Sequence, residues 1–272
     1  MKLLISADME GISGVVSVHH ISSGHQEYER FRRLMTVEVN AAIEGALAGG
    51  ADEIVVNDSH GSMTNILIEE LHPAAELISG SPKPLGMMQG IGAEVDAVFF
   101  VGYHASSGTG AAILEHTWAS SSVFDVHLNG QAVGETGLNA ALAGGYGVPV
   151  VLVTGDQAVV EEARALLGEI ETVQVKHSIT RVAARCLHPQ VAQTRIREAA
   201  ERALQPTGSP FVLPSPITLR VTFQRALHAD LAMMLPGSQR IDGRTVQWTG
   251  DDMPAVYGAF QAMTGLAALT PR

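Results

Sequence analysis

Six residues able to bind a metal or move a proton close apolar runs or stand just beyond them. They are Asp8 and Glu10 in "LLISADMEGISG", His60 in "VNDSHGSM", His104 in "VDAVFFVGYH", His116 in "ILEHTWAS" and Glu135 in "VGETGLNA". Carboxylates and imidazoles are the oxygen and nitrogen donors of metal sites, and a single catalytic zinc usually takes three of them plus water. Asp8, Glu10, His60, His104 and Glu135 make a larger set, which suits a pair of ions about 3.5–4 Å apart with one carboxylate shared between them. Asp8 is the expected bridge, because its short side chain is tied to the end of the most central strand. Gly11 would let the backbone turn close under the ions with no Cβ in the way. His116 has no ligand-type partner three or four residues on. On a strand it and Glu115 would face opposite ways, so only one could enter the site. An imidazole there could polarise a carbonyl or shuttle a proton.

Residues so far apart meet only if the fold gathers them. "KLLISA", "EIVVN", "AVFFVGY" and "VPVVLVTGD" are apolar without alternation, the pattern of strands covered on both faces. Helical spacing runs from Gln26 to Ala48 and stops at Gly49 and Gly50, and further helices are predicted around 63–71 and from Glu135 to Gly147. Asn129-Gly130, between "FDVHL" and "QAV", signals a tight hairpin. Strand and helix in this rhythm predict an α/β fold, a mostly parallel sheet with helices on both faces, plus a smaller C-terminal α/β segment. In such open sheets ligands bind beyond the carboxyl ends of the strands, where the candidate residues fall. After a helix over 189–204, "QPTGSPFVLPSP" marks a boundary. The expected division is a metal-binding catalytic domain, 1–205, and a smaller domain, 206–272, ending in a helix over 253–267.

The 272 residues carry Lys+Arg 17 against Asp+Glu 28, a net charge of -11 that opposes nucleic acid and anionic membrane as partners. No apolar run approaches the roughly 18 residues of a membrane span, and Met1 leads straight into a strand without a basic and apolar leader. A cytoplasmic protein is therefore expected. Cys186 is the only cysteine, read as a buried apolar residue, so no thiolate cluster can hold a metal and His, Asp and Glu must do so. His19, His20, His25, His72, His127, His177, His188 and His228 read as structural or solvated. "DQAVVEEARALLGEIE" reads as a solvated amphipathic helix, with Asp156 ahead of it able to orient a ligand from behind.

Taken in order, "SADMEGISG", "VNDSHGSM", "LHPAAELISG", "GYHA", "EHT", "VGETGLNA" and "TGD" resemble the bacterial zinc-dependent D-aminopeptidases associated with dipeptide-transport operons. The likeness continues through "VKHSITRVAARCLHP" to "DDM" near the last helix. It implies a hydrolase holding two zinc ions per chain. Asp8 would bridge them, Glu10 and His60 would complete one side, and His104 and Glu135 the other. His116 matches the catalytic histidine, and the substrates implied are short peptides with an N-terminal D-amino acid such as D-Ala. The implied assembly is a homodecamer of two stacked rings. From the residues alone two rivals stay open. A two-metal phosphoesterase or amidohydrolase uses the same ligands, although no basic cluster favours phosphate. A non-catalytic peptide-binding module would give no reason for His116 beside a full ligand set.

Overall fold

A strand apolar on both faces needs cover on both sides, and the topology supplies it. The computed structural model describes residues 1–205 and 208–270. In it β1 (Lys2–Ala7) leads through α1 (Val18–Ile21) and α2 (Tyr28–Ala48) to β2 (Glu53–Asp58), β3 (Ala75–Ile78) and β4 (Ala97–Tyr103). The hairpin β5 (Val123–Leu128) and β6 (Gln131–Ala132) precedes α3 (Glu135–Gly145), β7 (Val150–Asp156) and α4 (Gln157–Leu167). There follow β8 (Glu171–Thr180), β9 (Ala183–Cys186), α5 (Pro189–Ala203), β10 (Ile217–Phe223) and α6 (Ala226–Ala232). β11 (Gln239–Arg240), β12 (Thr245–Gly250) and α7 (Met253–Ala267) come last.

The larger sheet has the order β3-β2-β1-β4-β7-β8-β9, parallel except for the β8–β9 hairpin at its edge. Leu3, Ile5 and Phe99 face Met35 and Val39 of α2 and Ile196 of α5. Leu4, Val98 and Phe100 belong to the opposite core with Leu138 of α3, Phe260 of α7 and Val221 of the second sheet. The expected mostly parallel sheet covered on both faces is therefore present. Strand order reverses between β1 and β4, since β2 and β3 lie to one side and β7 and β8 to the other. Loops leaving the carboxyl ends of β1 and β4 must part there, and a crevice opens between them.

The smaller sheet is antiparallel, in the order β11-β12-β10-β5-β6. Asn129 and Gly130 both have positive φ, as a tight hairpin turn requires, and join β5 to β6. β5 pairs with β10, so this sheet combines residues from both sides of the compositional break after residue 205; residues 206, 207, 271 and 272 of the expected second domain lie outside those described.

Three local expectations are corrected. Over 63–71 there is no α-helix, only a short 3-10 turn at Ile68–Glu70. Met63 is left-handed at φ 59 and the Asp58 carboxylate accepts from the N–H groups of Asn65 and Ile66, which diverts the backbone from helix bonding. His116 lies in a loop rather than a strand, because Ala111, Leu114 and Trp118 are left-handed and break any extended run. Cys186 ends the edge strand β9, where no further strand covers it, and is half-buried and free. Among the described residues no helix is long and apolar enough to cross a membrane.

The ends of β1 and β4 are drawn together by absent side chains. The Gly11 N–H donates to Gly102 O at 2.7 Å, and a Cβ on Gly11 would overlap the backbone of Gly102 and Tyr103. Backbone cannot move aside as a flexible side chain does. Gly11→Ala is expected to lower the unfolding free energy by about 1–3 kcal/mol or more in a urea titration, with the turn at Asp8 and Glu10 displaced.

Candidate metal and catalytic site

Asp8 is the first residue beyond β1, and its N–H donates to Val101 O at 2.8 Å, which fixes where the side chain begins. Glu10 follows in the same turn. His60 lies just past β2, His104 directly follows β4, and Glu135 opens α3. All five meet at the crevice between β1 and β4. His60 Nδ1 lies 3.1 Å from Asp8 Oδ1 and 3.0 Å from Glu10 Oε2. His104 Nε2 lies 3.5 Å from Asp8 Oδ2 and 3.3 Å from Glu135 Oε1. Asp8 thus turns one oxygen toward each histidine. His116 joins from the loop after β4, its ring stacked on His104 with centroids 4.1 Å apart and its Nε2 3.6 Å from Glu135 Oε1.

The outward nitrogen of every imidazole is anchored. In the neutral ring His60 Nε2–H donates to Ile21 O at 2.9 Å, His104 Nδ1–H to Ala105 O at 3.0 Å, and His116 Nδ1–H to Leu114 O at 3.0 Å. With a ring neutral, as a metal ligand must be, each bond would leave the other nitrogen's lone pair on the side of the carboxylates, the arrangement that orients histidine ligands. Among the described residues, three groups bring their donor atoms within 4.8 Å of one another. They are Asp8–Glu10–His60, Asp8–His104–Glu135 and Glu10–His104–His116. None of the other eight histidines is in these groups.

Burial and mutual repulsion from Glu10 push the Asp8 carboxyl up to about 7. Burial also opposes the charges of Glu10 and Glu135, but His60 and His104 outweigh it and hold both carboxyls below the usual range. The same pairing, against burial, holds His60 and His104 well above the usual imidazole range. His116 goes the other way, lowered by burial and by His104 beside it. Charge in the crevice is therefore matched, but the hydrogen bonds are incomplete. Glu10 Oε2 and His104 Nε2 are buried without a hydrogen-bond partner among the described residues. Buried polar atoms are nearly always satisfied, so these two, which belong to the clustered donor groups and make only ion-pair contacts, fit a cation. The donor set, histidine nitrogen and carboxylate oxygen without sulfur, fits zinc.

A cavity of about 260 Å³ opens over these donors, with Met63, Met87, Trp118 and Ser81 as its other wall. Trp118 is left-handed, donates its N–H to Glu135 Oε1 at 2.7 Å, and packs edge-on against Tyr257 and Phe260 of α7. These wall residues carry no sequence signal: an apolar side chain in a loop looks the same whether it lines a cavity or fills a core.

Further groups hold the loops in place. Asp156 does not reach the donors. It caps α4 through Ala158 and Val159, and its other oxygen accepts from Ile113 N–H at 2.7 Å, tethering the His116 loop. Glu115 turns away from the site and pairs with Arg181 at 3.0 Å. The helix read as solvated presents only one face to water: Ala158, Val159 and Ala163 are buried, and Glu162 accepts from Ser106 N–H at 2.8 Å beside the His104 turn. Lys176, which the sequence shows only within "VKHSITRVAARCLHP" and with no role attached, is buried and bonded to the turn carrying Glu10.

Asp58 stands at the same sheet edge yet is spent on structure. Its carboxylate accepts from Asn65 N–H at 2.5 Å, Ile66 N–H at 2.7 Å and Asn65 Nδ2 at 2.8 Å, while Asn65 also donates to His60 O. Asp58→Asn leaves at least one of these donors without an acceptor. A loss of about 1–3 kcal/mol in urea unfolding is expected, with bound metal per chain unchanged by elemental analysis.

The chain resembles known proteins along nearly its whole length. The chain is 40% identical to the D-aminopeptidase of Bacillus subtilis (strain 168) over 276 aligned residues, covering 99% of both. The solved structure of the Zn-dependent D-aminopeptidase DppA from Bacillus subtilis, described as a self-compartmentalizing protease, superposes with a TM-score of 0.97. Its identity is 39%, and each chain is covered completely. The peptidase family model described as D-aminopeptidase matches residues 1–262. With likeness in sequence and fold along nearly its whole length, the chain belongs to the D-aminopeptidase family of peptide hydrolases.

Proposed function

We propose that this D-aminopeptidase is a dinuclear zinc enzyme acting on short peptides that begin with a D-amino acid such as D-Ala. The observation that carries the paired site is the Asp8 carboxylate, with one oxygen toward His60 and the other toward His104. Asp8, Glu10 and His60 would hold one ion, and Asp8, His104 and Glu135 the other. Glu10 Oε2 and His104 Nε2, in ion-pair contact but without a hydrogen bond, support this division, as does the zinc dependence of the Bacillus relative. Ions bound there would polarise a peptide carbonyl and lower the pKa of a water molecule.

His116 is the catalytic residue of this reading. Its Nδ1–H is engaged by Leu114 O, and burial favours the neutral ring, so Nε2 is free to accept a proton from the attacking water. The same nitrogen can return that proton to the leaving amine. The acidic wall complements the free α-ammonium of a peptide. The small cavity, bounded by Met63, Met87 and Trp118, favours a short side chain at the first position. The reading includes a cytoplasmic homodecamer, supported by the self-compartmentalizing description of the relative, since enclosing a site requires several copies of the chain.

Metal per chain, measured by elemental analysis after zinc loading and dialysis, is expected to reach two. A value near zero would remove the mechanism. His116→Ala is expected to keep both ions and lose about 10²–10⁴-fold in kcat on a D-alanyl peptide. The L-alanyl counterpart should be turned over far more slowly, and equal rates would remove the stereochemical assignment.

A further inference from the structure

Lys176 is fully buried, and its ammonium makes its hydrogen bonds to main-chain carbonyls of a single turn: Glu10 O, Ile12 O at 2.8 Å and Val15 O at 2.8 Å. Burying an ammonium costs several kcal/mol, and a methionine would fill similar space without that penalty. Packing alone therefore does not account for the lysine. Its direction is also unusual. Pairing between β7 and β8 steps from Gly155–Gln174 to Asp156–Lys176, so β8 carries one extra residue, and Lys176 is buried directly after the buried Val175 instead of alternating with it. Such a bulge re-aims a side chain.

The turn it reaches is the one that presents Asp8 and Glu10. Toward β4 this turn is held by Asp8 N–H on Val101 O and Gly11 N–H on Gly102 O. Its far side is held by Lys176, together with Ser13, whose N–H donates to Glu38 Oε1 at 2.9 Å and whose hydroxyl donates to Leu187 O at 2.7 Å. The lysine touches the main chain of Glu10 itself. Rotating that peptide would swing the Glu10 carboxylate away from His60.

We propose that Lys176 is a positioning residue for the metal pair. By capping the carbonyls of Glu10, Ile12 and Val15 it holds Glu10 against His60 and sets the affinity of the Asp8–Glu10–His60 side, without touching an ion. The inference rests on the paired-metal reading above. Three carbonyl acceptors take up all three N–H donors of the Lys176 ammonium.

The test is stepwise zinc binding to metal-free protein, in competition with a chromophoric chelator. Lys176→Met is expected to weaken one of the two ions by roughly tenfold or more and leave the other within about twofold. Placed on Glu10→Gln, the same substitution should add almost nothing, because the carboxylate it positions is already lost. A merely structural lysine would weaken both ions alike, or would act equally in both backgrounds, and either result overturns the proposal. If Lys176→Met does not fold, Lys176→Arg carries the test. It keeps the buried charge but presents a planar fork in place of three converging donors, and wild-type affinities in that variant overturn the proposal. Wild-type protein that binds fewer than two ions would remove the metal reading itself, a failure visible before any substitution is made.

Discussion

Three carboxylates, Asp8, Glu10 and Glu135, are buried side by side, and the rest of the structure answers to that constraint. Carboxylates taken out of water repel one another and lose their hydration, at a cost of several kcal/mol each unless opposite charge and hydrogen bonds replace it. Two histidines supply part of the compensation, each set between two of the acids. The backbone supplies more through the Trp118 N–H on Glu135. What is left over, an oxygen on Glu10 and a nitrogen on His104 that make ion-pair contacts but no hydrogen bond, is the part that a cation would complete.

Holding like charges together also needs stiffness. The topology provides it at the reversal of strand order, where β1 and β4 lie side by side and their following loops diverge. Beneath the crevice runs a buried polar chain: Ser6 meets Tyr103 at 2.7 Å, and Asn139 receives Tyr257 while donating to Tyr103, both at 2.9 Å. It ties β1, β4, α3 and α7 into one floor. Fully satisfied buried networks of this kind fix a single arrangement.

Much of this was legible in the residues. Apolar strands that give way to Asp8, His60 and His104 announce both the sheet and the edge where the candidate site lies, and Asn129-Gly130 announces the hairpin. Asp58 and Asp156 show the limit of that signal. They end strands at the same edge, yet their carboxylates hold backbone N–H groups, and only tertiary geometry separates a ligand from a tether. The loop around His116 escaped because its left-handed residues, Ala111, Leu114 and Trp118, are not the glycines that mark such turns. Lys176 escaped because the bulge in β8 breaks the two-residue period on which any inward or outward assignment rests.

The hairpin of β5 and β6 lies in the chain between His116 and Glu135, yet its strand partner is β10, and Trp118 leans on α7. The timing of synthesis follows from this. Domains generally fold as units during synthesis, so one whose sheets join early and late strands waits for the late ones. A chain that has grown only to the end of α5 already contains every candidate metal donor and His116, but it lacks β10 to pair with β5 and α7 to support the cavity wall. The centre is therefore completed by the last elements made, so a nascent chain carries the chemistry in its sequence well before it can assemble the finished cavity.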